Sequence, residues 1–538
     1  MFTLGSQIHG YNARSLVKDR YEKGISVEKT LQSRRAFLKA STMSITVAGL
    51  CGCSSALQGF GSKRGKPNLL FIMTDQQRFD SLGCSGRSIC KTPNLDELAN
   101  KGVRFDNAYS VCGLCSPARA SMLTGMYPHN HRMWNNNDMM QWAVRNLPDD
   151  VRLISQDLIE AGYNCGYVGK WHCGIEKLPS TYGFVGINVP GYGNPYKTKE
   201  YAEYIAERGL KPPEPVEVIV DRAYGGTLSG PVEACIPHFI AEYAIDLMKK
   251  FNEERKDSGK PFMMFVSFWG PHHPCFIPEP YASMYEPQDV ELWPNVDDDL
   301  SGKPRSMKRF SAFYPHLREV SKEQLRRLIA KYWGFCTFID YEIGRLLEAL
   351  EEMGIADETA VLFSSDHGDL TGAHGRLWDK GPFMYEETYH IPLIIRIPWS
   401  DTKGAVCQKF VSNMDLATTV LDIAGLPIPD YHDARSLLPL VADPESNWRD
   451  DIMCEFHGHR YLYSQRMVRW DRYKYIFNPS DYDELYDLAN DPYEMNNLIN
   501  QPEYKKIAEE GRLRLLKWIK DSKDPLEFAA KFLLGNSR

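Results

Sequence analysis

The sequence lacks an excess of positive charge, a long apolar run and a regular cysteine pattern. Its formal net charge is −7, and the first 53 residues hold five more Lys and Arg than Asp and Glu, so the remainder carries −12. Such an acidic chain argues against binding of nucleic acid. The apolar run at residues 40–50 is too short and too weak for a mature membrane-spanning helix. The thirteen cysteines show no repeat, which argues against a small disulfide-stabilised scaffold.

What is present is the composition of an ordinary folded protein, with 43% apolar and 25% charged residues over 538 positions. Continuous apolar runs, typical of strands buried on both faces, alternate with amphipathic helical patterns from residue 67 to about 428. Helices are expected at 92–101, 149–161, 237–254, 321–353 (as one helix or two) and 415–425. This alternation predicts an α/β domain.

The chain changes character twice. Residues 176–232 are rich in Gly, Pro and Tyr, and we expect a long loop that lines a cleft. From about residue 429 the pattern indicates an antiparallel sheet at 452–477 and a closing helix at 503–520. The sequence therefore predicts a second, α+β domain at 429–538.

Polar residues follow four of the predicted buried strands. Because the carboxyl ends of parallel strands meet at one edge of a sheet, these residues are expected to converge there. They are Asp75 and Gln76, Lys170 and His172, His272, and Asp366 and His367.

The stretch Cys112-Gly-Leu-Cys115-Ser-Pro-Ala-Arg119 lies at a predicted strand-to-helix junction. Proline two residues after Cys115 suits a first helical turn, and a helix start favours an anion. Arg119, one turn on, can reach back and present a planar cationic fork to an oxyanion. Two simpler interpretations are a dithiol redox pair and a pair of inert core thiols.

This stretch continues to Thr124-Gly125 and resembles the signature of the type I sulfatases, Cys-x-Pro-x-Arg followed by Thr-Gly. The resemblance covers roughly residues 66–500. It implies an alkaline phosphatase-like fold, with a large mixed, mostly parallel sheet between helices and a smaller C-terminal α+β subdomain. It also implies that Cys115 is oxidised to formylglycine (3-oxoalanine) by a formylglycine-generating or anaerobic sulfatase-maturating enzyme.

The resemblance implies a site for one divalent cation. Hard oxygens and one imidazole suit Ca²⁺, Mn²⁺ or Mg²⁺, and we expect Ca²⁺ first. The combination of Asp-Gln with Asp-His departs from the commonest family pattern and is similar to choline sulfatase-like and phosphonate monoester hydrolase-like members. The expected ligands are Asp75, Gln76, Cys115, Asp366 and His367.

A group of cationic side chains is expected to stabilise the sulfate and the departing alkoxide. By resemblance this group is Arg119, Lys170, His172, His272 and Lys380. In the implied mechanism one hydroxyl of the hydrated aldehyde attacks sulfur while Asp366 or one of its neighbours helps to take the proton. His272 or Lys380 assists the leaving alcohol, and the second hydroxyl loses a proton to His172 and expels sulfate.

The substrate is less visible in the sequence. Polar clusters that include Trp suit a sulfated saccharide better than a choline headgroup, although each residue also has a structural interpretation. The candidate substrate contacts are His131, Asn135, Arg376, His457 and Arg460.

The first 53 residues resemble an export signal. Arg34-Arg35 followed by Phe-Leu-Lys and a modest apolar run is similar to a twin-arginine signal, with an amphipathic surface helix as the alternative. Leu50-Cys51-Gly52-Cys53 fits a lipoprotein processing box, so Cys53 is a candidate for lipidation. With a linker at 54–66, we expect export through the twin-arginine translocase to the periplasm or the bacterial cell envelope, with contact to the membrane only through that lipid.

The sequence therefore indicates a sulfuric ester hydrolase that acts on carbohydrate, with artificial aryl sulfates as additional substrates. Two alternatives stay open: a phosphonate monoester or phosphodiester hydrolase of the same superfamily, and a non-catalytic sulfated-glycan binding protein in which Cys115 is unmodified. Nothing in the sequence identifies the sugar or the oligomeric state.

Overall fold

A computed structural model describes residues 65–138, 143–189 and 195–535. The predicted export signal, the candidate lipidation site Cys53 and residues 54–64 of the predicted linker lie outside these ranges. In the described part of the chain, no helix is both long and apolar enough to span a membrane. The cysteines described there are all free thiols.

The strands fall into three sheets, and most of them are short. In chain order they are β1 (Asn68–Asp75), β2 (Val103–Tyr109), β3 (Asn164–Lys170), β4 (Val185–Val189), β5 (Pro215–Ile219), β6 (Gly225–Leu228), β7 (Phe262–Pro271), β8 (Cys275–Pro278), β9 (Thr359–Ser365), β10 (Leu393–Arg396), β11 (Ala405–Ser412), β12 (Asp451–Phe456), β13 (Gln465–Trp470), β14 (Tyr473–Phe477) and β15 (Glu484–Asp487).

The main sheet has the order β11-β2-β10-β9-β1-β7-β3-β4. All neighbours are parallel except β10, which runs antiparallel to both β2 and β9. The central strands β1, β7 and β9 are buried along nearly their whole length, as their continuous apolar runs predict. The predicted mixed, mostly parallel sheet is confirmed.

Two apolar clusters lie on opposite faces of this sheet. Several of the longer helices pack against it, whereas the last two helices of the chain pack on the C-terminal sheet and on each other. The bounds of the longer helices are α1 (Pro93–Asn100), α2 (Cys115–Thr124), α3 (Ile154–Glu160), α4 (Lys199–Glu207), α5 (Ile236–Ser258), α6 (Arg305–Ser311), α7 (Lys322–Glu352), α8 (Asp415–Ile423), α9 (Lys505–Asp521) and α10 (Glu527–Gly535). Single helical turns occur at Pro128–His131, Ala373–Arg376, Glu386–Tyr389 and Leu438–Ala442.

Several boundaries differ from the sequence-based expectation for local reasons. The helix expected from residue 149 begins only at Ile154, because the Leu153 N–H is bonded to the Gln156 side chain (3.0 Å) and caps the helix there. The helix expected as one or two is the single α7, whose start is fixed by reciprocal bonds between Ser321 and Gln324.

The region 176–232 was wrongly predicted as a long loop. It contributes β4 to the edge of the main sheet, and it contains α4, β5 and β6, with β5 and β6 forming a small sheet with β8. These strands are only four or five residues long. Two of them, β4 and β6, contain glycine, and the valines of β5 are exposed, so the apolar pattern that identifies a buried strand in sequence is weak or too short here.

The C-terminal region forms the predicted antiparallel sheet, with the order β12-β13-β14-β15. The closing helix is α9, and the further helix α10 was not predicted. Residues of the two regions share one contiguous apolar cluster. Because described residues on both sides share this cluster, the packing does not mark the predicted domain boundary between residues 428 and 429, and that boundary stays a prediction.

A buried ion cluster joins the chain after α2 to the C-terminal region. His129 Nδ1 lies 2.8 Å from Glu455 Oε2, and Arg466 Nε lies 2.5 Å from Asp524 Oδ2 and 3.5 Å from Glu455. Burial opposes charge on the imidazole, but Glu455 and then Asp524 outweigh it and raise the pKa of His129 to about 9. The cluster therefore pairs the cations of His129 and Arg466 with the side chains of Glu455 and Asp524.

We expect the His129 ion pair to stabilise the fold in a pH-dependent manner. Because the folded pKa is raised above the ordinary 6.5, its contribution is complete below pH 6.5 and is lost as the pH rises through about 9. At pH 6, His129→Gln should lose about 3 kcal/mol of this pH-dependent stability. Thermal midpoints of the wild type and the variant should converge towards pH 9.5.

The matched control is His432→Gln. Burial lowers the pKa of His432 to about 4, below its ordinary 6.5, so the wild-type residue costs about 1 kcal/mol at pH 6 and nothing above about pH 7.5. The difference between the wild type and His432→Gln should therefore shift slightly in the opposite direction below about pH 7.5 and stay constant from there to about pH 9.5. A constant difference for His129→Gln over the same range would show that its imidazole is neutral in the fold.

Candidate active site

Four adjacent strands of the main sheet end at the same edge. In the order β9-β1-β7-β3 they are parallel neighbours, and their register aligns Met73 with Ser364 and Ser267, and Ser267 with Gly169. The residues that follow these positions therefore meet above the edge. The predicted convergence of strand ends is present in the structure.

Four buried side chains form a compact donor group at this edge: Asp75, Cys115, Asp366 and His367. One ligand atom from each lies within 4.8 Å of all the others. Cys115 Sγ is 3.3 Å from His367 Nε2 and 3.9 Å from Asp75 Oδ1. Two carboxylates, an imidazole and the side chain at position 115 suit a divalent cation bound mainly by oxygen.

Gln76, the fifth expected ligand, turns towards a different group. Its amide oxygen accepts a hydrogen bond from Lys380 Nζ at 2.6 Å, and its amide nitrogen donates to Asp369. Its backbone N–H donates to Asp366 Oδ1 at 2.9 Å, from a left-handed conformation with φ 64°. In this arrangement Gln76 connects the donor group to Lys380, and its role as a ligand stays a prediction.

Arg119 is a bridge between the two carboxylates. Its Nε donates to Asp366 Oδ2 at 2.8 Å and its Nη2 to Asp75 Oδ2 at 2.6 Å. Its Nη1 donates to the Lys170 carbonyl (2.7 Å) and to Ser267 Oγ (2.8 Å). These four acceptors use four of the five N–H donors of the guanidinium, so Arg119 does not present an open two-donor fork in this structure, and its contact to an oxyanion stays a prediction.

Lys170 adds a second cation to the same carboxylate. Its Nζ lies 2.6 Å from Asp75 Oδ2 and 3.8 Å from Cys115 Sγ. Burial alone would raise the pKa of Asp75, but Lys170 and Arg119 hold it well below its usual value. Asp75 is therefore ionised and ready to bind a cation through its other oxygen.

Cys115 is the first residue of α2, where the preceding Leu114 is still extended. The Ser116 N–H at this helix start donates to Asn136 Oδ1 at 3.1 Å. Gly113 permits the tight approach before the helix, since a Cβ there would lie 2.8 Å from the Tyr389 ring. Cys112 is not disulfide-bonded to Cys115, and burial raises the pKa of its thiol well above the usual value, which argues against a dithiol redox pair.

Lys380 and His272 form a second group beside the donor group. Lys380 Nζ lies 3.0 Å from His272 Nε2 and 3.0 Å from Asp379 Oδ1. Burial, then Lys380 and Lys170, lower the pKa of His272 well below its usual value. The imidazole is therefore neutral and accepts from the ammonium, so the acidic proton of this pair is on Lys380.

Two carboxylates near the expected cations were not predicted. Asp138 Oδ1 lies 3.2 Å from His172 Nε2, and Asp379 contacts Lys380 and accepts from Tyr314 OH at 3.0 Å. In the sequence, Asp379 directly precedes Lys380, and Asp138 directly follows the Asn-rich run at 135–137. Both aspartates are therefore adjacent to residues that the sequence had already indicated as candidates. A charge beside a cation in sequence is common, however, and does not by itself indicate contact.

The expected substrate contacts divide into two classes. His131 is fully buried and bonded to Ser121 Oγ and the Met133 N–H, so it is a structural residue. Arg376 is held by Asp297 (2.8 Å) and the Val320 carbonyl (2.6 Å), outside the donor group. For these two residues the structure argues against the expectation, because their polar atoms already have partners within the fold.

The other three candidates lie on one connected wall. Asn135 Nδ2 donates to the Gly458 carbonyl at 2.6 Å, and the His457 ring stacks on Trp134 at 6.1 Å. Arg460 Nη2 donates to Tyr314 OH at 2.8 Å, and Tyr314 in turn contacts the carboxylate beside Lys380. This wall brings the C-terminal region to the catalytic edge of the sheet.

Comparison with known proteins identifies the relatives of this chain. The family model described as Sulfatase matches residues 67–426, and that described as N-sulphoglucosamine sulphohydrolase, C-terminal, matches residues 372–521. An arylsulfatase of Clostridium perfringens is 30% identical over 491 residues, which cover 87% of this chain and 98% of that protein. An N-acetylglucosamine-6-O-sulfatase of Bacteroides thetaiotaomicron is 27% identical, covering 85% of this chain and 87% of that protein.

A solved structure shows the same architecture. The phosphonate monoester hydrolase of Agrobacterium radiobacter matches with a TM-score of 0.69 and 25% identity, and the match covers 85% of this chain and 96% of that one. The fold is therefore shared by enzymes that act on sulfate esters and on phosphonate esters.

The donor group predicts a specific effect of Asp366 on metal binding. Asp366→Ala removes one of two carboxylates, so the affinity for Ca²⁺ should fall at least about 100-fold, as measured by calorimetric titration of metal-free protein. Asp138→Ala removes a neighbouring carboxylate that lies outside the group and should leave the Ca²⁺ affinity unchanged. Equal affinity in the wild type and Asp366→Ala would show that the cation binds elsewhere.

Proposed function

The chain belongs to the sulfatase family and is a sulfuric ester hydrolase, and on this basis we propose that it removes sulfate from a sulfated carbohydrate. The reaction would use a formylglycine made from Cys115 and one divalent cation. The observation that carries the proposal is the donor group of Asp75, Cys115, Asp366 and His367, closed by a buried bridge from Arg119.

The charges of the site favour an anionic substrate. Asp75 and Asp366 are balanced by Arg119 and Lys170 before any cation binds. A divalent cation would supply Lewis-acid stabilisation of the sulfate oxygens and would leave this buried group of side chains with excess positive charge. Such a field favours the negative charge that develops on a sulfate ester during its cleavage.

The surroundings of Cys115 support its proposed role as the precursor of the nucleophile. Its Sγ lies between His367 and Lys170, at the start of a buried helix. A formylglycine at this position would supply, as its hydrate, one hydroxyl to attack sulfur and a second to release sulfate. An unmodified thiol has no second hydroxyl, so the proposal requires a maturation enzyme.

The remaining residues would move protons. Lys380, which donates to the neutral His272, is the better proton donor to the departing alcohol. His272 would hold that ammonium in place, because its Nε2 accepts from Lys380 while its Nδ1 contacts the His273 carbonyl. His172, oriented by Asp138, would take the proton when sulfate is released.

The carbohydrate assignment rests on relatives and on the wall of the site. One relative is named for N-acetylglucosamine 6-O-sulfate, and the ring of Trp134 is 43% exposed on the wall and stacked on His457. An exposed aromatic face supported from behind suits a sugar ring. Export by the twin-arginine translocase, with a lipid at Cys53, completes the proposal and depends on residues outside the described ranges.

We expect Cys115→Ala to lose at least about 10⁴-fold in kcat on 4-nitrophenyl sulfate, since it removes the nucleophile. The matched control is Cys112→Ala, which changes a buried thiol three residues away and should retain at least half the activity if it folds. Mass spectrometry of protein from its native host should find the aldehyde at residue 115. An intact thiol there, in active protein, would exclude the formylglycine mechanism.

A comparison of ester classes separates the two enzymatic alternatives. A panel of sulfated monosaccharides and 4-nitrophenyl sulfate should be hydrolysed with higher kcat/KM than 4-nitrophenyl phenylphosphonate, by at least about 10-fold, or 1.4 kcal/mol in transition-state stabilisation. A preference for the phosphonate of the same size would assign the chain to the phosphonate ester hydrolases instead.

A further inference from the structure

One buried imidazole beside the site lacks a partner. His459 lies in the segment between β12 and β13 and is 1% exposed. Neither of its ring nitrogens is hydrogen-bonded by any group in the described part of the chain. Buried polar side chains almost always have partners, so an exception beside a catalytic site requires an explanation.

The backbone of this segment holds His459 in a defined position. Gly458 has φ 107°, and a Cβ there would lie 2.4 Å from the Tyr461 carbonyl oxygen, so only glycine fits this turn. The carbonyl of Gly458, which precedes His459, accepts from Asn135, and Arg460, which follows His459, donates to Tyr314 OH. His459 therefore stands between two neighbours that are both anchored to the walls of the site.

The ring of His459 packs on an aromatic residue near the catalytic groups. It packs on Phe310 with ring centroids 5.8 Å apart and an angle of 29°. Burial lowers the pKa of His459 to about 3, and Asp379, Lys380, Arg460 and His367 are all close enough to influence it. The imidazole is thus neutral, with one N–H donor and one lone pair.

We propose that His459 binds the alcohol part of the substrate, by hydrogen bonds between its unpartnered ring nitrogens and a neutral hydroxyl next to the sulfate ester. This inference rests on the proposed carbohydrate sulfatase function and specifies its recognition. A neutral imidazole matches a hydroxyl, which both donates and accepts, whereas the cations and the donor group supply the contacts to sulfate.

The test compares two substrates in His459→Phe, which keeps the ring and removes the hydrogen bonds. The sulfated monosaccharide that the wild type hydrolyses best carries hydroxyls, whereas 4-nitrophenyl sulfate carries none. For the sugar, kcat/KM should fall about 10- to 100-fold, mainly through KM. For 4-nitrophenyl sulfate it should change less than about 3-fold, and the thermal midpoint should not fall, because an unpartnered polar group is removed.

Two further variants sharpen the result. Asn and Gln can each present an amide nitrogen near one of the two ring nitrogens, so either His459→Asn or His459→Gln should restore part of the sugar activity. His238→Phe makes the same change on α5, where His238 pairs with Glu342, and should leave kcat/KM unchanged for both substrates.

The outcomes separate this inference from the function on which it rests. If the wild type hydrolyses the sugar sulfate but His459→Phe loses both substrates equally with a lower thermal midpoint, His459 is structural and the inference is wrong. An unchanged KM for the sugar would also overturn it. If the wild type hydrolyses aryl sulfate but no sulfated sugar, the carbohydrate function fails and the inference fails with it.

Discussion

The bridge from Arg119 to Asp75 and Asp366 is the interaction on which the site depends. It joins α2, one turn after Cys115, to the ends of β1 and β9. Both carboxylates are fully buried. Two carboxylates cannot stay ionised side by side in a dry interior without compensation. Arg119, with five fixed donors, provides that compensation and leaves one oxygen of Asp75 facing the cysteine.

This need for charge balance explains why different cationic side chains of the site have different roles. Since Arg119 and Lys170 are occupied in balancing the carboxylates, we assign the mobile proton of the proposed mechanism to a separate group, Lys380 with His272 and Asp379. Gln76 links the two groups through a backbone bond to one and a side-chain bond to the other. The wall from the C-terminal region then closes the site on the side of Lys380.

Much of this arrangement could be predicted because it depends on local sequence patterns. The buried strands β1, β3, β7 and β9 appear as continuous apolar runs, and the residues that end them converge because parallel strands share an edge. The Cys115 signature was recognisable at its fixed spacing. The bridge by Arg119 was not, because its acceptors lie 44 and 247 positions away and depend on which strands become neighbours.

Other failures have the same physical origin. His131 and Arg376 were chosen by residue type, but only the folded structure shows that their polar atoms are already satisfied inside the protein. Conversely, nothing in the sequence except its residue type singles out His459. Its proposed role is inferred from the lack of hydrogen-bond partners for its ring nitrogens among the described residues. Short strands such as β4 join the sheet through backbone bonds, which impose little on the side-chain pattern.

The central claim is that Arg119 holds Asp75 and Asp366 in place as ligands around the residue that Cys115 becomes. A crystal structure of the matured protein with Ca²⁺, located by anomalous scattering, tests it most directly. The account predicts one cation bound by Asp75, Asp366, His367 and residue 115, with Arg119 still bonded to both carboxylates. A cation outside this group, or an Arg119 released from the carboxylates to contact sulfate, would contradict it.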